Sequence, residues 1–222
     1  MPAYNEATTV EDAIDRALAA DLPVDDVELL VVENGSTDDT AAVLEAREWP
    51  RNVRILRVDR NRGKGHAIRV ALPEASGEYT AILDADLEYD PNDLARLLDP
   101  LLEGDARAVL GTRMFQSHSA YSFWYVLSNR VINLAANVLY NSWISDLLNC
   151  YKVMPTELLR SLELREDGFG IDAEIPAALL RSGVQIYEVP VTYRARRRDE
   201  GKKLSARDGV VVLMALIRRR LR

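Results

Sequence analysis

Residues 79–91 read YTAILDADLEYDP. Tyr79, Thr80, Ala81, Ile82 and Leu83 form a short β-prone run that ends in four carboxylates, Asp84, Asp86, Glu88 and Asp90, with no basic residue among them. A strand repeats every two residues, so Asp84 and Asp86 are expected to point the same way, and like charges held that close cost free energy unless a cation bridges them. A hard divalent ion with oxygen ligands, Mg²⁺ or Mn²⁺, suits such a pair, because no Cys or His is close enough in sequence to suggest zinc. Asp90-Pro91 followed by Asn92-Asp93 reads as a helix start. The acidic cluster therefore sits at a strand-to-helix crossing, where open α/β sheets bind ligands. The competing reading of DADLE alone is a solvated turn.

Working outward, strands and helices alternate. Val10, Ala13, Ile14, Ala17 and Leu18 recur at helical spacing; VELLVVE (27–33) suits a strand covered on both faces, closed by the turn and helix cap NGSTD. A helix over 39–48, a strand over 53–59, the loop NRGKGH (61–66) and a helix carrying Ala67, Ile68, Ala71 and Leu72 follow. Beyond the acidic stretch come a leucine-rich helix (94–102), the strand AVLGTR (108–113), helices over 128–140, 155–162 and 173–181, and the strand QIYEVPVTY (185–193), with Pro190 marking an edge or bulge. This order predicts a parallel sheet with right-handed crossovers. The opening PAYNE has turn chemistry that normally follows a strand, and none precedes it, so the first strand is expected to be truncated, with about five apolar residues supplied upstream.

Composition narrows the class. The 222 residues are 48% hydrophobic, enough for one domain of good size, and a single cysteine, Cys150, excludes an internal disulfide and suits a reducing compartment. No apolar run of about 18 residues appears, so the chain is read as soluble and cytoplasmic. The net charge of −7 is uneven. Residues 194–222 hold 11 Lys and Arg against 3 Asp and Glu, a cationic end on an acidic body, and this points to an anionic partner for that end.

Eight stretches now stand in order: PAYNE, VENGSTDD, NRGKGHA, DADLE, GTR, DLLNCYK, GFGIDAE and EVPVTYRARRRDEGKKLS. Together they resemble family 2 glycosyltransferases of the A-type nucleotide-binding fold, and among these the dolichyl- and polyprenyl-phosphate sugar synthases. The resemblance spans nearly the whole chain. It implies an α/β, Rossmann-like nucleotide-sugar-binding domain over residues 1–222, with a mostly parallel central sheet flanked by helices and with 194–222 as a basic loop and C-terminal amphipathic helix.

The resemblance also implies roles. Pro2, Tyr4, Glu6 and Glu33 would surround the donor nucleoside, whose hydroxyls and N–H groups carboxylates accept; Glu6 could instead stabilise the following helix start. Glu33-Asn34 stands where the family has Asp-Asp. Gly63 and Gly65 would let backbone approach the nucleotide while Lys64 faces a phosphate. Asp84 and Asp86, with Ala85 between them, match the metal pair on the donor side, and Glu88, in place of a usual Gln, is a third candidate ligand. Arg113 and Arg130 match arginines that hold phosphates, Arg130 having a solvated helix face as its alternative. Asp172 and Glu174 match an acidic pair on the acceptor side, and Asp146 matches another family acid. Cys150 reads as a buried small residue, and His66 and His118 as weak metal candidates. Lys202 and Lys203, in a Gly-containing basic loop, would close over the diphosphate, and the last helix, ending Arg218-Arg219-Arg220, would lie on an anionic membrane surface.

The implied reaction is metal-dependent, inverting transfer of a sugar from a UDP- or GDP-sugar to a polyprenyl or dolichyl phosphate by an enzyme on the cytoplasmic face of the membrane, with no nucleic acid involved. A hydroxyl acceptor would make Asp172 the general base. A non-catalytic nucleotide-sugar or membrane-binding module is the further alternative.

Overall fold

The computed structural model describes residues 1–114, 123–195 and 206–221. Lys202, Lys203 and His118 lie outside them.

Three parallel strands open the chain in the order β1-β2-β3: β1 (Pro2–Ala3), β2 (Leu29–Asn34) and β3 (Val53–Val58). Helix α1 (Val10–Ala19) covers them with Val10, Ala13 and Ile14 buried, and its first turn is closed by the Glu6 carbonyl, which accepts from Thr9 and Val10 N–H. Helix α2 is Thr40–Glu45, and α3 is Lys64–Ala71. A second sheet runs β4-β6-β5-β7, from β4 (Tyr79–Ala81), β5 (Ala108–Thr112), β6 (Lys152–Pro155) and β7 (Ile186–Pro190). Against it pack α4 (Asp93–Leu102), whose Leu94, Leu97, Leu98 and Leu101 are buried, and α7 (Ile171–Arg181). Helices α5 (Phe123–Tyr140), α6 (Thr156–Ser161) and α8 (Ala206–Leu221) complete the order. Val212 and Leu216 of α8 share a buried cluster with Ile132 and Ala136 of α5 and Ala173 and Ala177 of α7.

The sheet is mostly parallel, with one strand the reading missed. β6 runs antiparallel to both β4 and β5 and sits between them. Its four residues include a lysine and end on a proline, so no period of two shows; the helix expected from Pro155 begins one residue later, at Thr156. The first strand is short, as expected. A two-residue β1 does pair with β2, in register Pro2↔Val32 and Ala3↔Glu33. Beside it, between β2 and β4, an apolar cavity of about 510 Å³ is lined by Leu30, Val32, Ile82 and Val153 among others. The Met1 ammonium donates to the Leu30 carbonyl at its edge, and burial lowers its pKa to about 6.

Candidate active site

A second cavity, of about 310 Å³, lies at the C-terminal ends of the strands. Tyr4 follows β1, Asn34 ends β2, Asp84, Asp86 and Glu88 follow β4, and Arg113 follows β5; all reach this cavity, as do Pro2, Glu6, Gly63, Lys64, Ala85 and Asp172. The larger cavity is chiefly aliphatic and carries no such convergence, so the smaller one is the candidate site.

The acidic stretch is not the extended ladder its spacing suggests. The strand stops at Ala81, residues 85–86 turn, and Leu87 takes a positive φ of 59°, unusual for a branched side chain. That turn folds Glu88 N–H back onto Asp86 Oδ1 at 3.0 Å. Nor does Asp84 lack a counter-charge. Lys64, 20 residues earlier, places its Nζ 2.9 Å from Asp84 Oδ2 and 3.2 Å from Asp172 Oδ2, and buried Lys152 places its Nζ 3.2 Å from Asp172 Oδ1. Four charges thus alternate, Asp84, Lys64, Asp172, Lys152. Burial by itself would lower the Lys64 pKa, but Asp172 and Asp84 outweigh it and hold it well above the usual lysine range. Burial would likewise raise Asp84, and Lys64 outweighs that and keeps it below the usual carboxylate range. Both oxygens of Asp172 are engaged by lysines, an arrangement that favours a positioning residue over a general base.

Several expected roles move. Lys64 serves two carboxylates where a phosphate was expected. Gly63 and Gly65 make room for a loop of this chain: a Cβ on Gly63 (φ 106°) would come within 2.5 Å of the Asp167 carbonyl, and one on Gly65 would collide with the Glu166 carbonyl. Glu33 turns away from the cavity and accepts from Ser36 N–H at 2.7 Å, leaving Asn34 on the wall. Glu6 lines the cavity, yet its Oε2 also accepts from Thr9 Oγ1 at 2.7 Å, so the helix-start reading holds beside the other. Glu174 is buried and accepts from Arg165 and Glu166 N–H, a brace for residues 165–166, and it does not line the cavity. Arg113 is locked on Asp146 through Nε and Nη2, both at 2.7 Å, with its guanidinium 4.9 Å above the Tyr193 ring. Arg130 is exposed on α5, and its neighbour Asn129 reaches the cavity instead.

Sequence reasoning passed over Lys152, Asn34, Tyr89 and Tyr193. Tyr193 donates to Glu88 Oε2 at 2.8 Å, and Arg194 N–H to the Glu88 carbonyl, so the basic segment departs from beside the acidic turn. Lys152 had a signal, its place in NCYK, but only the antiparallel β6 brings it under Asp172. Cys150 is buried, as expected of a small core residue, and burial pushes its thiol well up.

Among the described residues no three Asp, Glu, His or Cys side chains gather as a metal-holding group. Asp84, Asp86 and Glu88 line one cavity without forming a cage, Asp84 being taken by Lys64. The donor set still fits Mg²⁺ or Mn²⁺, hard ions commonly held by one or two carboxylates while substrate phosphates and water complete the shell.

Residues 1–162 match the model of the family described as Glycosyl transferase family 2. The glycosyltransferase AglJ of Haloferax volcanii is 31% identical over 225 residues, 98% of this chain and 70% of its own. The dolichol-phosphate mannosyltransferase of Pyrococcus furiosus is 26% identical over 207 residues, 91% of this chain and 57% of its own. Among solved structures, glucosyl-3-phosphoglycerate synthase of Mycobacterium tuberculosis, in complex with Mn²⁺, UDP-glucose and phosphoglyceric acid, superposes with a TM-score of 0.73 at 26% identity, covering 99% of this chain and 77% of that one.

Proposed function

The chain belongs to glycosyl transferase family 2 and is a glycosyltransferase with the A-type fold, and from that premise we propose that it moves a sugar from a nucleoside-diphosphate sugar to the phosphate of a polyprenyl-type lipid. The observation that carries this reading is the meeting of Asp84, Asp86, Lys64 and Arg113 on one cavity at the strand ends. A donor diphosphate and an acceptor phosphate both need cationic and metal-holding groups there. The lipid-linked products named for relatives such as the Pyrococcus enzyme favour the lipid phosphate.

In this reading Pro2, Tyr4, Glu6 and Asn34 hold the nucleoside, with Gly63 and Ala85 closing the pocket around it. Asp86 holds the divalent ion, with Glu88 beside it, and Asp84 keeps Lys64 in place. Bound there, the ion supplies positive charge to the departing diphosphate. Arg113, stiffened by Asp146 and Tyr193, orients the acceptor phosphate; one of its oxygens bonds to the anomeric carbon as the bond to the diphosphate breaks and the electron pair leaves with it, inverting the carbon. A phosphate is ionised at neutral pH, so positioning matters more than a base. Lys202 and Lys203 would cover the diphosphate from the basic segment, and the enzyme would work as a peripheral protein at the cytoplasmic membrane face.

One observation favours a second acceptor class. The Mycobacterium neighbour is seen with phosphoglyceric acid, a small phosphorylated hydroxyl compound. Incubation with UDP- and GDP-sugars, Mn²⁺ or Mg²⁺, and either a short polyprenyl phosphate or 3-phosphoglycerate separates the two: labelled lipid is expected, and label on phosphoglycerate alone overturns the lipid reading. Asp86→Asn should cut transfer by about 10²-fold or more with the melting temperature unchanged. Full activity of that variant, or of the wild type in excess chelator, ends the metal assignment.

A further inference from the structure

Arg113 reaches the cavity at the end of a relay of carboxylates that begins outside it. Glu188, half-buried in the middle of β7, turns its side chain to the loop between α5 and β6. Its Oε1 accepts from Ser145 N–H at 3.0 Å, Ser145 Oγ at 2.9 Å and Asp146 N–H at 3.2 Å, and its Oε2 accepts from Ser145 N–H at 3.0 Å. A carboxylate only accepts, so the Ser145 hydroxyl donates to Glu188 and itself accepts from Thr112 Oγ1, 2.8 Å away at the end of β5. Asp146, placed in this way, accepts three times from Arg113: from its N–H at 2.9 Å and from Nε and Nη2, both at 2.7 Å. Glu188, Ser145 and Asp146 do not line the cavity, whereas Arg113 does.

The same loop is gripped from its other side by α5, where Asn133 donates to the Ser145 carbonyl and accepts from Leu147 N–H. Asp146 is therefore fixed by its own backbone, and a long arginine side chain held by it is ordered before any ligand arrives, which removes that ordering cost from binding. Glu188 is an expensive way to brace a loop. Burial raises its pKa, the bonds from Ser145 and Asp146 oppose the rise, and the Asp146 charge adds to it, so the carboxyl stands above its usual range. The ionised group thus costs the fold free energy, while every bond it makes ends on the two residues that present the Asp146 carboxylate to Arg113. An amide of the same size would not serve, because its N–H₂ in place of Oε2 would face the Ser145 N–H, donor against donor.

We propose that Glu188 is a positioning residue for acceptor recognition: it sets Asp146, and through Asp146 the Arg113 guanidinium, in the geometry that receives a phosphate. This role rests on the reading that Arg113 orients the acceptor phosphate, but its first readout needs no substrate, so either can fail without the other. In isotope-labelled protein the Arg113 Nε–H resonance, identified by its loss in Arg113→Lys, should be protected from solvent exchange. Glu188→Gln should lower that protection about tenfold or more at an unchanged melting temperature. With a nucleotide-sugar and a short polyprenyl phosphate, the same variant should raise the acceptor KM about tenfold and the donor KM by less, and should add little more in an Arg113→Lys background. Ser145→Ala, which removes one of the bonds to Glu188, should lower the protection by less, and it carries the test if Glu188→Gln melts early. An Arg113 resonance as protected in these variants as in the wild type overturns the role, and so does an equal rise of acceptor KM in both backgrounds. If Arg113→Lys leaves the acceptor KM unchanged, the phosphate reading fails, and the Glu188 role in acceptor recognition falls with it even where the resonance shows that Glu188 holds Arg113.

Discussion

Helices α7 and α5 lie against the same buried cluster and solve opposite problems. In α7 every residue from Ile171 to Leu179 is buried, Asp172 and Glu174 included, because Lys64 and Lys152 receive one carboxylate and two backbone N–H groups the other. The longer α5 has one charged residue, yet it leaves Val131, Leu134 and Val138 in solvent. Burial in this protein follows from partners, and polarity by itself does not predict it.

The sharpest way to break that contrast is to remove a partner from α7. Lys152→Met leaves Asp172 Oδ1 buried without its ammonium and should destabilise the fold by about 3–5 kcal/mol, read from urea unfolding; a second change, Asp172→Asn, should recover part of the loss. If the single variant unfolds like the wild type, the alternating charge chain contributes nothing to stability. A smaller effect tests the other end of that chain. Because Lys64 depresses the folded pKa of Asp84 below its ordinary 3.8, the stability this pair contributes is fully present above 3.8 and is lost as pH falls through the folded value. In Lys64→Met the largest influence that lowers Asp84 is gone, so its acid-induced loss should begin at a higher pH than in the wild type; superimposable urea midpoints against pH would contradict the assignment. The smallest effect is expected on α5. Leu134→Gln and Val138→Gln should each change stability in solution by no more than about 0.5 kcal/mol, and a larger loss in a thermal melt would mean that this face is covered within the chain.

Much of the fold was legible because its signals are local. The leucines of α4, the buried run of β2 and the apolar spacing of α1 each read correctly from period and composition. β6 was not, since four residues ending at Pro155 carry no period. In the site, Pro2, Tyr4, Glu6, Gly63, Lys64, Asp84, Ala85, Asp86, Glu88, Arg113 and Asp172 all line one cavity. Arg130, Glu33 and Glu174 do not, because on a helix or at a strand end a one-residue shift turns a side chain to another face. Asn129 and Asn34, each one position away, take the wall.

By itself, then, the sequence determined the α/β order, the acidic stretch after β4, the basic end and the family, all of which rest on residues near one another along the chain. Only the tertiary structure decided which charges meet. Lys64 and Asp172 are 108 residues apart and Lys152 comes from a strand the pattern did not show, yet they neutralise one another within 3.2 Å, because a charge taken out of water survives only against an opposite charge that folding delivers.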